Sequence, residues 1–313
     1  MGSGGSRRIL SSSSPEELRE KLRKSRENTE DAAFETNVNA EINEILAEYN
    51  ERDSDAIQEH LDEIKEIIGE DIEGMLDLKF GGSISKYTYV NGLSDVDTLI
   101  TIDKTELSDL PPKEVLEHIK SKLEGTLKNL EKIDIGKLAV TMEFSDNIKI
   151  QILPAIKRGD GFKIPNSNGN DWSNTIKPKK FAEKLTEVNK NLKGNVVPVI
   201  KLAKGILANL PENQQLKGYH VESIAIEAFK TYPESKSKTY KTLLKHFFEK
   251  AKDIVKKPMI DSTGQSRHVD TYLGSENSKE RQTISYTLNR IYNKMERADK
   301  ISSVSEWTKI LGE

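Results

Sequence analysis

A chain of 313 residues, 32% charged and 35% hydrophobic, is long enough to bury two lobes and has the composition of a soluble, surface-charged, helix-rich protein. Its formal net charge of −3 argues against bulk electrostatic capture of nucleic acid, which leaves only local basic patches for that purpose. The lack of cysteine excludes disulfides, thiolate zinc sites and cysteine nucleophiles, and no apolar run approaches the ~18 residues of a membrane span. No apolar segment follows the N-terminus, so no secretory signal and a cytoplasmic location are expected.

Residues 1–14 read as a tag remnant (Met1-Gly2-Ser3-Gly4-Gly5-Ser6) and a flexible serine leader. Ser14 as N-cap, Pro15 at the first position and Glu16-Glu17 in the first turn predict a helix start. Phe34, Val38, Ile42, Ile45, Leu46 and Tyr49 recur every three or four residues, a one-sided helical stripe. A polar turn cluster over 50–55 separates it from a second stripe, Ile57, Leu61, Ile64, Ile67 and Ile68. Both helices are expected to pack against the sheet that follows.

Phe80-Gly81-Gly82-Ser83 then ends a long polar stretch in a small-residue turn, where a ligand can approach the main chain. Ser83 offers a hydroxyl and an N–H where a phosphate could sit. A polar, aromatic connector leads to Asp95-Val96-Asp97-Thr98-Leu99-Ile100-Thr101-Ile102, a predicted strand. Asp95 and Asp97 are two apart and share one face, while Val96, Ile100 and Ile102 take the other. Paired carboxylates repel each other, and a hydrated divalent cation, Mg²⁺ or Mn²⁺, is the usual remedy. Taken singly, Gly-Gly-Ser is a common loop and Asp-x-Asp a common surface element; joined in this order they read as a phosphate and metal site.

Pro111-Pro112 breaks the chain before a helix predicted over 113–129. Residues 137–155 alternate as a β-hairpin. Its turn sets Val140 opposite Ile152, Met142 opposite Ile150 and Phe144 opposite Ile148 on a core face, with Glu143 opposite Lys149 and Thr141 opposite Gln151 on the other. Residues 157–180 read as an irregular connector between lobes with Trp172 as its anchor. Helices follow from 181. The apolar run over 197–207 carries Lys201 and Lys204, three apart and on one face, which either snorkel to solvent or face a ligand. Tyr219 and His220 come next, His220 expected as a packed or hydrogen-bonding residue and Glu222 as a structural one. Helices are predicted over 240–256 and 279–300, with a loop over 261–277 between them.

The Gly-Gly-Ser…Asp-x-Asp signature resembles that of the polymerase-β-like nucleotidyltransferase superfamily, and most closely the cGAS/DncV-like nucleotidyltransferases and 2′-5′-oligoadenylate synthetases. The resemblance implies an α+β fold: a nucleotidyltransferase sheet core over 15–180 and a helical domain over 181–313, with the site in the cleft. It implies a long N-terminal helix along the back of the molecule and an acidic closing loop near 268–274. Gly81, Gly82 and Ser83 would bind the β/γ-phosphates, Asp95 and Asp97 the metal, Lys204 with Lys201 the triphosphate, and Tyr219 the base by stacking. The family places a third carboxylate just before a hydrophobic-hydrophobic-Pro-Ala run; here Ile152-Leu153-Pro154-Ala155 is preceded by Gln151, which can accept a hydrogen bond or ligate through its carbonyl but cannot be an anionic ligand or a base. The implied function is metal-dependent synthesis of cyclic or short linear oligonucleotide signals from nucleoside triphosphates, in bacterial anti-phage signalling, with an effector protein as a possible partner. Open beside it are a nucleotide sensor working with an effector, a transferase acting on tRNA or protein, and one acting on a small aminoglycoside-type acceptor.

Overall fold

The computed structural model describes residues 15–51, 53–69, 77–80, 82–91, 93–103, 105–166, 170–260 and 269–312. The chain runs α1 (Pro15–Asn50), α2 (Ser54–Gly69), β1 (Asp77–Phe80), α3 (Gly82–Ser85), β2 (Val96–Thr101), α4 (Pro112–Leu123), β3 (Leu130–Ile135), β4 (Val140–Phe144), β5 (Lys149–Arg158) and β6 (Gly161–Lys163). It continues through α5 (Pro178–Asn191), α6 (Val196–Ala208), α7 (Gly218–Phe229), α8 (Tyr240–Ile254), α9 (Lys279–Lys300) and α10 (Val304–Leu311). This is a mixed α+β fold. Among the described residues no helix is long and apolar enough to cross a membrane.

The sheet is ordered β1-β2-β5-β4-β3, with β6 pairing the far end of β5. β2 and β5 run parallel and the other pairs antiparallel. The hairpin register is as the alternation predicts: Val140 faces Ile152, Met142 faces Ile150, Thr141 faces Gln151 and Glu143 faces Lys149. Its apolar face and α2 and α4 enclose one core, in which Ile64, Val96, Ile100, Ile119, Val140, Met142, Ile150 and Ile152 have no exposed surface.

A second core joins α5 to α10. It also takes in Phe34, Val38, Ile42, Ile45 and Leu46 of α1. That corrects the expectation for the first helix, which packs on the helical lobe while α2 alone packs on the sheet. The physical reason is simple: an apolar stripe specifies that a face is buried, not which partner buries it. Lys241 reinforces the arrangement, bonding Glu35 of α1 and Asp299 of α9 (2.9 Å) from a buried position. The helix expected over 113–129 ends at Leu123, and Gly125 and Asn129, both at positive φ, turn the chain into β3. Trp172 anchors the connector on the sheet lobe, its Nε1–H donating to the Leu110 carbonyl (3.1 Å). Ser14, Gly81 and His268 lie outside the described residues.

Candidate active site

β2 and β5 lie side by side with Asp97 directly opposite Gln151. Asp95 sits one residue before β2, and its Oδ2 accepts from Gln151 Nε2 at 2.5 Å. Asp95, Asp97 and Gln151 therefore stand together near the starts of the two strands. Glu143 is paired with Lys149 at 3.0 Å, the cross-strand ion pair its register predicts.

Gly82 begins α3 at φ +46°, and a Cβ there would lie 1.6 Å from Asp97 Oδ2. Only glycine allows the turn to close on the carboxylate in this way. The next N–H, that of Ser83, donates to the same oxygen at 3.3 Å. Ser83 is buried, and its hydroxyl has no hydrogen-bond partner. A buried, unsatisfied hydroxyl beside two carboxylates is costly unless a ligand completes it.

Burial pushes both aspartates above the usual carboxylate range. For Asp97, the Ser83 N–H and Lys86 oppose the rise, while Asp95 and Glu222 add to it. For Asp95, Lys149 and the Gln151 amide oppose it and Glu143 adds to it. Two carboxylates held against their preference by burial and by each other fit one divalent cation, with the Ser83 hydroxyl beside them available to a phosphate oxygen. Among the described residues no group of three or more His, Cys, Asp or Glu side chains could hold a metal ion, so a cation here would have two carboxylates and the Gln151 amide as donors.

Opposite this turn, Glu222 of α7 is almost completely buried and gathers three donors. Lys204 Nζ lies 2.9 Å from its Oε1, Lys86 Nζ bonds its Oε2, and Thr88 Oγ1 donates to Oε1 at 2.5 Å. Lys204 also donates to the Thr88 carbonyl (2.9 Å). Burial disfavours the Glu222 carboxylate, but Lys86 and Lys204 outweigh it and hold the group below its ordinary range. Burial lowers Lys204 in turn, with Glu222 working against the shift. The expected structural role of Glu222 is thus specific: it is the buried counter-ion shared by Lys86 and Lys204.

Lys86 is the residue that sequence reading missed. Its ammonium is 5.1 Å from the ring centroids of both Phe181 and Tyr219, which contact each other at 4.6 Å. Tyr219 is 38% exposed, so Phe181 backs an aromatic wall open on one side. Nothing in its spacing marks it: Lys86 lies three residues beyond Ser83, one residue past the end of α3.

Lys201 and Lys204, read together from their spacing, go to different partners. Lys201 Nζ donates to Asn50 Oδ1 of α1 at 2.6 Å, away from the groups that hold Lys204. His220 is packed as expected, with Nδ1 2.9 Å from the Tyr272 hydroxyl and Nε2 3.6 Å from Asp270. Asp270 is fixed by the fully buried Arg281 (2.6 Å), so residues 269–274 are docked on the start of α7.

The profile of the Second Messenger Oligonucleotide or Dinucleotide Synthetase domain matches residues 32–189, just over half of the chain. No curated protein matches it. Among solved structures, the CD-NTase CdnG of Bradyrhizobium diazoefficiens, in complex with GTP, superposes with a TM-score of 0.65 at 13% identity, covering 87% of this chain and 97% of that one. The Vibrio cholerae cyclic AMP-GMP synthase DncV, with the linear intermediate pppA(3′,5′)pG, gives 0.59 at 11% identity and covers 96% and 89%. The CdnC:HORMA-deltaN complex of Escherichia coli MS115-1 gives 0.54 at 12% identity, with 88% and 92% covered. At such identities the likeness is one of fold.

Proposed function

The chain belongs to the Second Messenger Oligonucleotide or Dinucleotide Synthetase family, and we propose that it is a metal-dependent nucleotidyltransferase making cyclic or short linear oligonucleotide signals from nucleoside triphosphates. The observation that carries this reading is the junction of Gly82, Ser83, Asp95 and Asp97. It combines a backbone turn with an unsatisfied buried hydroxyl and two carboxylates raised by burial.

Asp95 and Asp97 would hold the cation, which supplies charge neutralisation for the triphosphate and polarises the α-phosphate. The Gly82-Ser83 turn would give a phosphate the Ser83 hydroxyl. Lys204 and Lys86, which share Glu222 as counter-ion, would offset the negative charge that develops on the departing pyrophosphate. Tyr219, backed by Phe181, offers a face for a nucleobase; stacking of this kind is worth ~1–3 kcal/mol and tolerates several bases. In the reaction a ribose hydroxyl oxygen forms a bond to the α-phosphorus and the bond to the β-phosphate oxygen breaks, so that pyrophosphate departs with the electron pair. Gln151 has no basic oxygen for the hydroxyl proton, which leaves to water.

The proposal includes an effector protein as partner, for which the CdnC:HORMA-deltaN complex is the support, and a cytoplasmic anti-phage setting. One observation favours a second reading. With Gln151 hydrogen-bonded to Asp95 in the third position, the chain would hold a triphosphate without turning it over and act as a sensor. Mass spectrometry of reactions with all four ribonucleoside triphosphates and Mg²⁺ or Mn²⁺ separates the two. Phosphodiester-linked products are expected; triphosphate binding with no product would favour the sensor.

A further inference from the structure

The sheet ends on β1 at one side and on β3 at the other, and among the described residues β3 pairs with β4 alone. The outer backbone groups of such a strand are a template for one more strand. Edges are commonly blunted by proline, by short length or by charges that repel an incoming chain. β3 is six residues long and has no proline (Leu130-Glu131-Lys132-Ile133-Asp134-Ile135), and its one register shift lies at its start, between Leu130 and Lys132. Beside it Ile135 is 40% exposed and Leu138 39%.

The charges on this edge specify what it accepts. On the face of the sheet that carries Gln151, Lys149, Glu143 and Lys132 stand opposite one another on successive strands. The row alternates in sign and reaches the edge on a cation, so the next strand would complete it with an acid opposite Lys132. β3 itself supplies one. When two copies of β3 pair antiparallel about a two-fold axis through Ile133, Lys132 faces the partner's Asp134 and Asp134 faces the partner's Lys132. Within one chain Lys132 Nζ and Asp134 Oδ2 already lie 2.5 Å apart, so the four groups form a square of alternating charge. Neighbouring registers fail. Directly opposed residues point to the same face, so the axis must pass through a residue. Through Lys132 it sets lysine against lysine, and through Asp134 aspartate against aspartate. On the other face of the favoured register, Ile133 meets the partner's Ile133 and the exposed Ile135 lies diagonal to it, within reach of an apolar contact.

We propose that β3 is a homotypic docking edge, through which two copies of this chain pair antiparallel and join their sheets into one. The interface is isologous, and its axis is normal to the sheet. Asp97 and Gln151 of both copies therefore stand on the same side of the joined sheet. The two β2 strands are then separated by roughly 34 Å of sheet, about seven spacings of ~4.8 Å.

Sedimentation velocity of the full chain over a concentration series tests this. Wild type should show a reversible monomer–dimer equilibrium whose Kd rises with ionic strength. Lys132→Asp and Asp134→Lys each turn both ion pairs into like-charge contacts and should raise the Kd at least about tenfold. The double exchange Lys132→Asp/Asp134→Lys restores the complementarity and should bring the Kd back to within about threefold of wild type. An equimolar mixture of the two single variants should also dimerise, because each presents the complement of the other. Both side chains are 59% exposed, so these changes leave the core intact, and an unaltered circular dichroism spectrum verifies it. A wild-type chain that stays monomeric to its solubility limit would overturn the proposal. So would a dimer that the single reversals leave unweakened, or one that neither the double exchange nor the mixture restores.

Discussion

Replacing Glu222 by Gln removes the one buried charge that Lys86 and Lys204 share, with almost no change in shape. At an effective dielectric constant of ~20, unit charges at the 2.9 Å of the Lys204 pair attract by about 6 kcal/mol before desolvation is counted. Removing one partner of a buried pair typically costs ~3–5 kcal/mol, because the other charge stays buried and uncompensated. For a chain of this size that corresponds to a fall in Tm of roughly 5–8 °C. The Gln amide also turns N–H groups toward an ammonium where an oxygen stood. Tripolyphosphate supplies negative charge to the same two lysines if they face the phosphate site. Differential scanning fluorimetry of wild type and Glu222→Gln, with and without saturating tripolyphosphate, reads both effects. The variant should melt well below wild type and recover more of the loss with the polyanion. A variant melting within about 1 °C of wild type, or equal stabilisation of both proteins, would refute the counter-ion account.

Gln151→Glu restores a third carboxylate beside Asp95 and Asp97 and should lower the Mn²⁺ concentration for half-maximal stabilisation about tenfold, while lowering Tm in chelator; no change in metal response would place residue 151 outside the site. Gly82→Ala puts a methyl into Asp97 at a positive φ and should cost at least ~1–3 kcal/mol, read as a lower denaturation midpoint in urea. Asp97→Asn removes a carboxylate that burial disfavours, so the metal-free variant should melt above wild type and lose the response to Mg²⁺. Burial holds the His220 imidazole down to about 4, against 6.5 when unfolded, with Asp270 opposing and Arg281 assisting. Between those values the unfolded chain takes up the proton first, so stability falls as pH drops through that window, by up to ~1.4 kcal/mol per pH unit. His220→Gln should flatten that segment of a Tm-versus-pH curve, and an unaltered slope would contradict the assignment.

Much of the site was legible because its signals are local. Asp95 and Asp97 announce themselves by a two-residue spacing on a strand, and Gln151 by its place before Ile152-Leu153-Pro154-Ala155. The hairpin followed from alternation alone, and its register brought Gln151 opposite Thr141 as found. What stayed hidden is long-range. The Phe34-to-Leu46 stripe could not say that it belongs to the helical core. Strand β3 was missed because only Ile133 of its residues is buried, which leaves no alternating pattern to read. Lys86 had no spacing to set it apart among the surface lysines; its role comes from Glu222, 136 residues away. Lys201 and Lys204 share a helix face, yet neighbours on α1 and α7 divide them.

The proposed activity rests on Asp95 and Asp97, and pyrophosphate release tests it most directly. Each ribo- and deoxyribonucleoside triphosphate would be incubated with Mg²⁺ or Mn²⁺ and wild-type protein, in parallel with the Asp95→Ala/Asp97→Ala variant. Release by wild type from at least one triphosphate, abolished in the double variant, is the predicted result. Release that persists in the double variant, or none from any triphosphate under either metal, would contradict the nucleotidyltransferase reading.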